Sequence, residues 1–79
     1  MKLPRDLAGR ALVAALCRHY EYRIVHQVGS HIVLETNAPT HQRLSIPDHA
    51  ALRIGTLQAI LRMIERHKGV SRKEIVERL

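Results

Sequence analysis

The segment HQVGSHIVLE, residues 26–35, predicts a β-hairpin with a histidine beside its turn. The runs on either side, residues 20–28 and 31–37, are rich in β-branched and aromatic residues that favour strands. Gly29 and Ser30 between them are a typical two-residue hairpin loop, since glycine adopts the backbone angles that such a loop demands. The sequence therefore predicts two antiparallel strands joined by a tight turn.

The length of this loop decides which face of the sheet carries the histidine. If the loop has two residues, Val28 pairs directly with His31. Side chains alternate between the two faces along a strand, so His26 and His31 would then lie on the same face. A loop of three residues would remove this inference.

A first helix is expected before the hairpin, from Leu7 to about His19, with Asp6 as its N-cap. Gly9 in its first turn is expected to weaken the helix by up to about 1 kcal/mol relative to alanine. Residues 41–46 form a short third strand that ends before Pro47.

The clearest helix covers residues 56–68, with Thr56 as its N-cap and Gly69 at its end. Its apolar residues recur at helical spacing and are expected in the core: Leu57, Ile60, Leu61 and Ile64. Ser71 and Glu74 form a capping-box pattern for a last helix that runs to the end of the chain.

The element order is thus α-β-β-β-α-α, an α+β fold. The economical packing is a three-stranded antiparallel sheet with the helices on one face, in a single domain of residues 1–79. This packing leaves the other face of the sheet open to RNA or to a partner.

Composition favours a polyanionic ligand and a reducing compartment. The chain has 13 lysines and arginines against 7 acidic residues and a net charge of +6, and neutralising phosphates with such cations releases counterions. The lone Cys17 excludes an internal disulfide and a cysteine-cluster zinc site. No apolar run approaches the roughly 18 residues of a membrane span, so we expect a cytoplasmic protein without a membrane partner.

The candidate ligands and nucleophiles fit no metal site and no hydrolase motif. The six histidines lack zinc-site spacing, and the carboxylates form no acidic cluster for a two-metal nuclease. Ser30 lies in no nucleophile elbow. We therefore expect no metal and no cofactor.

Cleavage of RNA without a metal ion requires fewer protein groups than a metal site or a serine hydrolase does. The ribose 2′-OH is a built-in nucleophile, so the protein has only to move protons and stabilise negative charge on the phosphorus group. A histidine suits the proton transfer because it titrates near neutral pH, and arginine suits the charge. His31 is the candidate for this chemistry.

Three segments together resemble one family. VGSHIVL (28–34), IPDHAALRIGTLQAIL (46–61) and GVSRKEIVERL (69–79) are similar to segments of HicA-type (YcfA-like) mRNA interferase toxins. The shared features are a Gly-Ser-His turn, a loop with proline and histidine, and a Gly-Thr-Leu entry to the second helix. The resemblance extends from about Leu7 to Leu79.

The resemblance implies a fold like that of small double-stranded-RNA-binding domains and a ribosome-independent endoribonuclease with His31 as its catalytic histidine. It also implies a HicB-type antitoxin that covers the site. The chain departs from the family pattern at His26 and Val28, where basic residues are common, and at Arg53-Ile54, where Lys-Pro is common.

Several residues near the expected site are candidates for contact with RNA. Thr56 and Arg53 lie where a helix N-terminus can accept a phosphate. His49 corresponds to the second histidine of the family. The full set expected to contact RNA is Gly29, Ser30, His26, His49, Arg53 and Thr56. Tyr20 and Tyr22 are the only aromatic residues and are expected to pack inside, so base stacking is not expected.

Two other functions stay open from the sequence. The domain could be a catalytically inactive module that binds RNA or docks an antitoxin. Residues 57–79 could also form a helix-turn-helix that binds DNA, although Glu65 stands where such a turn needs a small residue.

Overall fold

The three strands form one antiparallel sheet, in which they lie side by side in chain order. The computed structural model describes residues 2–79. Its elements are α1 (Gly9–His19), β1 (Arg23–Val28), β2 (His31–Thr36), β3 (Gln42–Pro47), α2 (Ile54–Lys68) and α3 (Arg72–Glu77). The predicted order and the α+β class are confirmed. No helix in residues 2–79 has the length and apolar character needed to cross a membrane.

The core lies between one face of the sheet and the helices. Alternate residues of β2 and β3 are buried against it: Ile32, Leu34, Leu44 and Ile46. The four residues predicted for the core of α2 are at most 3% exposed, and Leu12 and Leu16 of α1 join them. Burying aliphatic side chains stabilises a domain by about 1.5–3 kcal/mol each. Within residues 2–79, no helix covers the opposite face of the sheet, as predicted.

The start of α1 differs from the prediction. The helix begins at Gly9 after Ala8, which offers no side-chain cap. Asp6, the predicted N-cap, lies before it in a left-handed backbone conformation (φ 58°). The Gly9 N–H instead donates to the carbonyl oxygen of His49 at 2.9 Å. The backbone of a distant loop therefore takes the place of a side-chain cap.

Gly9 is buried where α1 meets the end of β3. A Cβ atom built on Gly9 would lie 1.9 Å from the carbonyl oxygen of Pro47. Only glycine allows this approach, so the residue that weakens the helix locally is the one that lets the helix dock on the sheet.

The start of α2 also differs from the prediction. The helix begins at Ile54 with Arg53 as its N-cap, so Thr56 lies inside the first turn. The Leu57 N–H donates to the Arg53 carbonyl oxygen at 2.9 Å, and this bond closes the first turn without a side-chain cap. The predicted end is confirmed, because Gly69 follows Lys68 with φ 67°.

The last helix is shorter than predicted and ends at Glu77. Ser71 Oγ accepts a hydrogen bond from the Glu74 N–H at 3.1 Å, which is one half of the predicted capping box. The other half is missing because the Glu74 carboxylate accepts from the hydroxyl of Tyr20 at 2.8 Å. Ile75 is fully buried, so α3 is fixed to the core. Tyr20 and Tyr22 are 7% and 4% exposed, as expected of packed residues.

Candidate nucleic-acid interface

The hairpin loop has two residues, as the sequence predicts. Val28 pairs with His31, and Gly29 and Ser30 form the turn between them. Gly29 has φ 57°, whereas Ser30 is not in the positive-φ region. Glycine at the first central position, with positive φ there alone, fits a type II′ turn, whose twist matches that of the strands.

His31 lies on the open face of the sheet. Its neighbours along the strand, Ile32 and Leu34, are buried against the helices, so His31 and Val33 are on the other side. His26 pairs with Val33 across the sheet. His26 and His31 therefore share the open face, as the two-residue loop predicts. Both are exposed.

The His31 ring is free to meet a ligand. It forms no side-chain hydrogen bond and no ion pair with any other side chain of residues 2–79. Beside it, Val33 is only 8% exposed, although it lies outside the core cluster. Its cross-strand neighbours are His26 and Ser45. The centre of the open face therefore contains one buried apolar residue, Val33, between polar side chains.

The arginines of the open face share one carboxylate. Glu35 of β2 accepts from Arg43 Nε of β3 at 2.9 Å and from Arg23 Nη2 of β1 at 3.4 Å. His41 Nε2 lies 3.5 Å from the same carboxylate. The hydrogen bond from Arg43 is the main cause of a pKa for Glu35 below its usual range. Part of the positive charge on this face is therefore neutralised within the protein.

We expect Glu35→Gln to weaken the fold near neutral pH, where the ionised carboxylate pairs with the arginines. The pKa of Glu35 is lowered on folding, so its ion pairs stabilise the protein above the unfolded pKa and are lost as pH falls through the folded pKa. The difference in the free energy of unfolding between wild type and Glu35→Gln should therefore shrink as the pH falls through the folded-state pKa of Glu35, which lies below the pKa of an unfolded glutamate. Urea titrations at several pH values measure it, and a pH-independent difference would contradict the assignment.

Asp48 links the turn to α1 and β1. No pattern in the sequence predicts this role. Its N–H donates to the Ser30 carbonyl oxygen at 2.6 Å. Its carboxylate accepts from Arg10 Nη2 of α1 at 2.9 Å and from Gln27 Nε2 of β1 at 3.3 Å. These contacts hold the turn before His31 against the loop that follows β3.

The other predicted contact residues divide into two groups. Gly29, Ser30, His26 and His31 lie together at the hairpin, and His49 follows Asp48 in the loop tied to the turn. The side chain of His49 is exposed. Arg53 and Thr56 lie at the start of α2, and no hydrogen bond or ion pair within residues 2–79 joins them to the hairpin.

Metal ligands are not grouped in this domain. Across residues 2–79, no three histidine, cysteine, aspartate or glutamate side chains are close enough to hold a metal ion. The partly exposed Cys17 stands alone, and burial raises the pKa of its thiol.

Comparison with known proteins identifies the family. The family model described as "HicA toxin of bacterial toxin-antitoxin" matches residues 9–65, which extend from the start of α1 into α2 and include the whole sheet. No curated protein matches the chain, and no solved structure matches it. The family match covers well over half of the 79 residues, and it contains the Gly-Ser-His turn. The chain therefore belongs to the HicA family of toxins from bacterial toxin–antitoxin systems.

Proposed function

We propose that this toxin is an endoribonuclease that cuts mRNA without a metal ion or a ribosome, with His31 as its proton-transfer residue. The observation that supports the proposal most is the exposed His31 ring on the uncovered face of the sheet. The two-residue turn and its bond to Asp48 fix the backbone from which this ring projects. The single domain of residues 1–79 would carry the whole activity.

The proposed reaction uses the substrate's own nucleophile. His31 takes the proton of a ribose 2′-OH, and the oxygen then attacks the adjacent phosphorus. The bond from phosphorus to the 5′ oxygen of the next nucleotide breaks, and that oxygen takes up a proton from water. His31 then releases the proton it accepted to solvent, which restores the starting state. The products are an RNA with a 2′,3′-cyclic phosphate end and an RNA with a 5′-hydroxyl end. DNA lacks the 2′-OH and would not react.

The RNA would lie across the open face, beginning at the hairpin. The exposed turn residues Gly29 and Ser30 can approach a phosphate. His26, on the same face as His31, and His49, in the loop bound to the turn, would add further contacts. Arg53 and Thr56 would hold a more distant phosphate at the start of α2. Because these contacts are largely ionic, binding should weaken as salt rises.

Membership of the family implies an antitoxin partner. We propose that this partner is of the HicB type and covers the open face, where it would exclude RNA from His31. The toxin would act in the cytoplasm, where its mRNA substrates are.

One observation favours a second candidate, an inactive module that binds RNA or docks the antitoxin. Val28, directly opposite His31, is 59% exposed and brings no cation to a position where the family commonly has one. The helix-turn-helix alternative for residues 57–79 has little support. Its second helix has only six residues, with Ile75 buried and Arg72 held by Glu65 at 3.3 Å.

The test is to incubate the purified chain with a defined RNA, without ribosomes and with excess chelator. A DNA of the same sequence is the control. We expect the RNA to be cut and the DNA to stay intact. If both are cut, or if activity requires an added metal, the proposed chemistry is wrong. If the RNA is bound but not cut, the inactive module is the correct function.

A further inference from the structure

The ion pairs divide the arginines of this domain into two groups. Five arginines each face a carboxylate: Arg10, Arg23, Arg43, Arg72 and Arg78. The other five form no ion pair with any of residues 2–79: Arg5, Arg18, Arg53, Arg62 and Arg66. Three members of the second group belong to α2 or its N-cap, whereas both arginines of the open face share Glu35. The largest group of arginines without an ion pair therefore lies on α2 and its N-cap.

Two of these arginines form a single exposed site, which we call the α2 arginine pair. Arg62 and Arg66 are both exposed and lie four residues apart, so they stack on one helix face with a rise of about 6 Å. The nearest carboxylate along the helix, Glu65, is engaged by Arg72. Like charges at this spacing destabilise a helix. Nothing in residues 2–79 neutralises the pair.

Lys68, near the end of α2, contacts other groups of the protein. Lys68 Nζ donates to Thr36 Oγ1 at 2.8 Å and to the Ala38 carbonyl oxygen, and it lies 4.8 Å from the centre of the Tyr22 ring. This lysine fixes the end of β2. It contrasts with the α2 arginine pair, which has no structural partner.

The α2 arginine pair lies on the side of the domain away from His31. The buried residues of α2 pack towards the helix-covered face of the sheet, and His31 is on the opposite face. Arg62 and Arg66, on the exposed side of the same helix, therefore point away from the sheet. An RNA at this surface is a segment other than the one at the proposed cleavage site.

We propose that the α2 arginine pair binds phosphates of the RNA outside the cleaved segment. The inference rests on the proposed function only in taking RNA as the ligand. Guanidinium groups bind phosphate oxygens in pairs of hydrogen bonds, and Ala59, one turn before Arg62 and Met63, leaves room for a backbone to approach. A protein partner would need an apolar centre in the surface it binds. In the C-terminal half of α2, Met63 is the one large apolar residue among those described that is exposed, and its exposed fraction is 42%.

The test measures binding of a single-stranded RNA whose riboses all carry 2′-O-methyl groups, so that it cannot be cut by 2′-OH attack. Fluorescence anisotropy is recorded over a salt series for wild type, R62Q/R66Q and the matched control K73Q/R78Q. The control removes the same charge from α3 and its C-cap residue. We expect R62Q/R66Q to bind roughly three- to tenfold more weakly and to reduce the slope of log K against log salt by about 1.4. K73Q/R78Q should change the RNA affinity and the salt slope much less.

Equal losses in the two double variants would overturn the proposal, because net charge alone would then explain binding. Unchanged RNA binding by R62Q/R66Q would also overturn it. If a polyglutamate peptide loses affinity for that variant while the RNA does not, the surface serves an acidic protein instead. Cleavage of an unmodified RNA is measured in a separate experiment. If the wild-type protein binds RNA through the α2 arginine pair but does not cut it, the nuclease proposal is refuted and the present inference is retained.

Discussion

His31→Ala is expected to lower the rate of RNA cleavage by about 10²- to 10⁴-fold, the range that a positioned general base contributes. RNA affinity should change little, because phosphate contacts elsewhere supply most of the binding. The fold should also be retained, since the ring is exposed and its side chain contacts no partner by hydrogen bond within residues 2–79. Single-turnover cleavage with enzyme in excess, together with anisotropy on uncleavable RNA, separates the two effects.

His41→Ala provides the matched control for this measurement. His41 is an exposed histidine beside Glu35, at the end of the sheet remote from the hairpin turn. Its replacement should change the cleavage rate by no more than about twofold, since it takes no part in the proposed proton transfer. A His31→Ala protein that cuts at the wild-type rate would remove His31 from the mechanism. Equal losses in both variants would assign the effect to charge rather than to proton transfer.

Gly9→Ala is expected to destabilise the protein by about 2–3 kcal/mol, although alanine is the better helix former. The added methyl would lie 1.9 Å from the Pro47 carbonyl oxygen, and that atom belongs to the backbone at the end of β3. Either α1 or the end of the strand must move. The same shift would strain the bond from the Gly9 N–H to His49. For a domain of this size we expect the Tm to fall by about 10 °C or more.

Gly55→Ala is the control for the steric argument. Gly55 lies in the first turn of α2, and a Cβ atom there would meet nothing within 4 Å. Its replacement should be neutral or should stabilise the protein by up to about 1 kcal/mol. Urea and thermal unfolding of both variants give the comparison. A Gly9→Ala protein as stable as Gly55→Ala would show that α1 does not need the close approach to Pro47.

The sequence predicted the features of the fold that local patterns encode. The Gly29-Ser30 signal set the hairpin register, and with it the face shared by His26 and His31. Helical spacing identified the buried residues of α2. Both succeed because a two-residue loop and an apolar repeat leave few alternatives.

The features that depend on distant contacts were not predictable in this way. Asp48 contacts Arg10, 38 residues away, and Gln27, 21 residues away, and no local pattern announces either pair. The predicted N-caps Asp6 and Thr56 were wrong for different reasons. At α1, a backbone hydrogen bond to His49 takes the place of the side-chain cap. At α2, the helix begins before Thr56. Strand pairing likewise decided that Glu35 neutralises arginines from both neighbouring strands.

The same division applies to the candidate site. A histidine beside a glycine turn is visible in the sequence, whereas the distribution of free and paired arginines appears only once the chain is folded. That distribution leaves the open face with less free charge than the composition suggests and places the α2 arginine pair on the other side. Catalysis at one face and RNA retention at another would follow from it.

The chemical nature of the cut ends shows whether the ribose 2′-OH is the nucleophile. The purified wild-type chain is incubated in chelator with an oligonucleotide that contains one ribose among deoxyriboses, and the products are analysed by mass spectrometry. We expect a single cut after the ribose. One fragment should end in a 2′,3′-cyclic phosphate or in the 3′-phosphate formed by its hydrolysis, and the other fragment should begin with a 5′-hydroxyl. A 3′-hydroxyl end, or cutting at deoxyribose positions, would contradict the proposed chemistry.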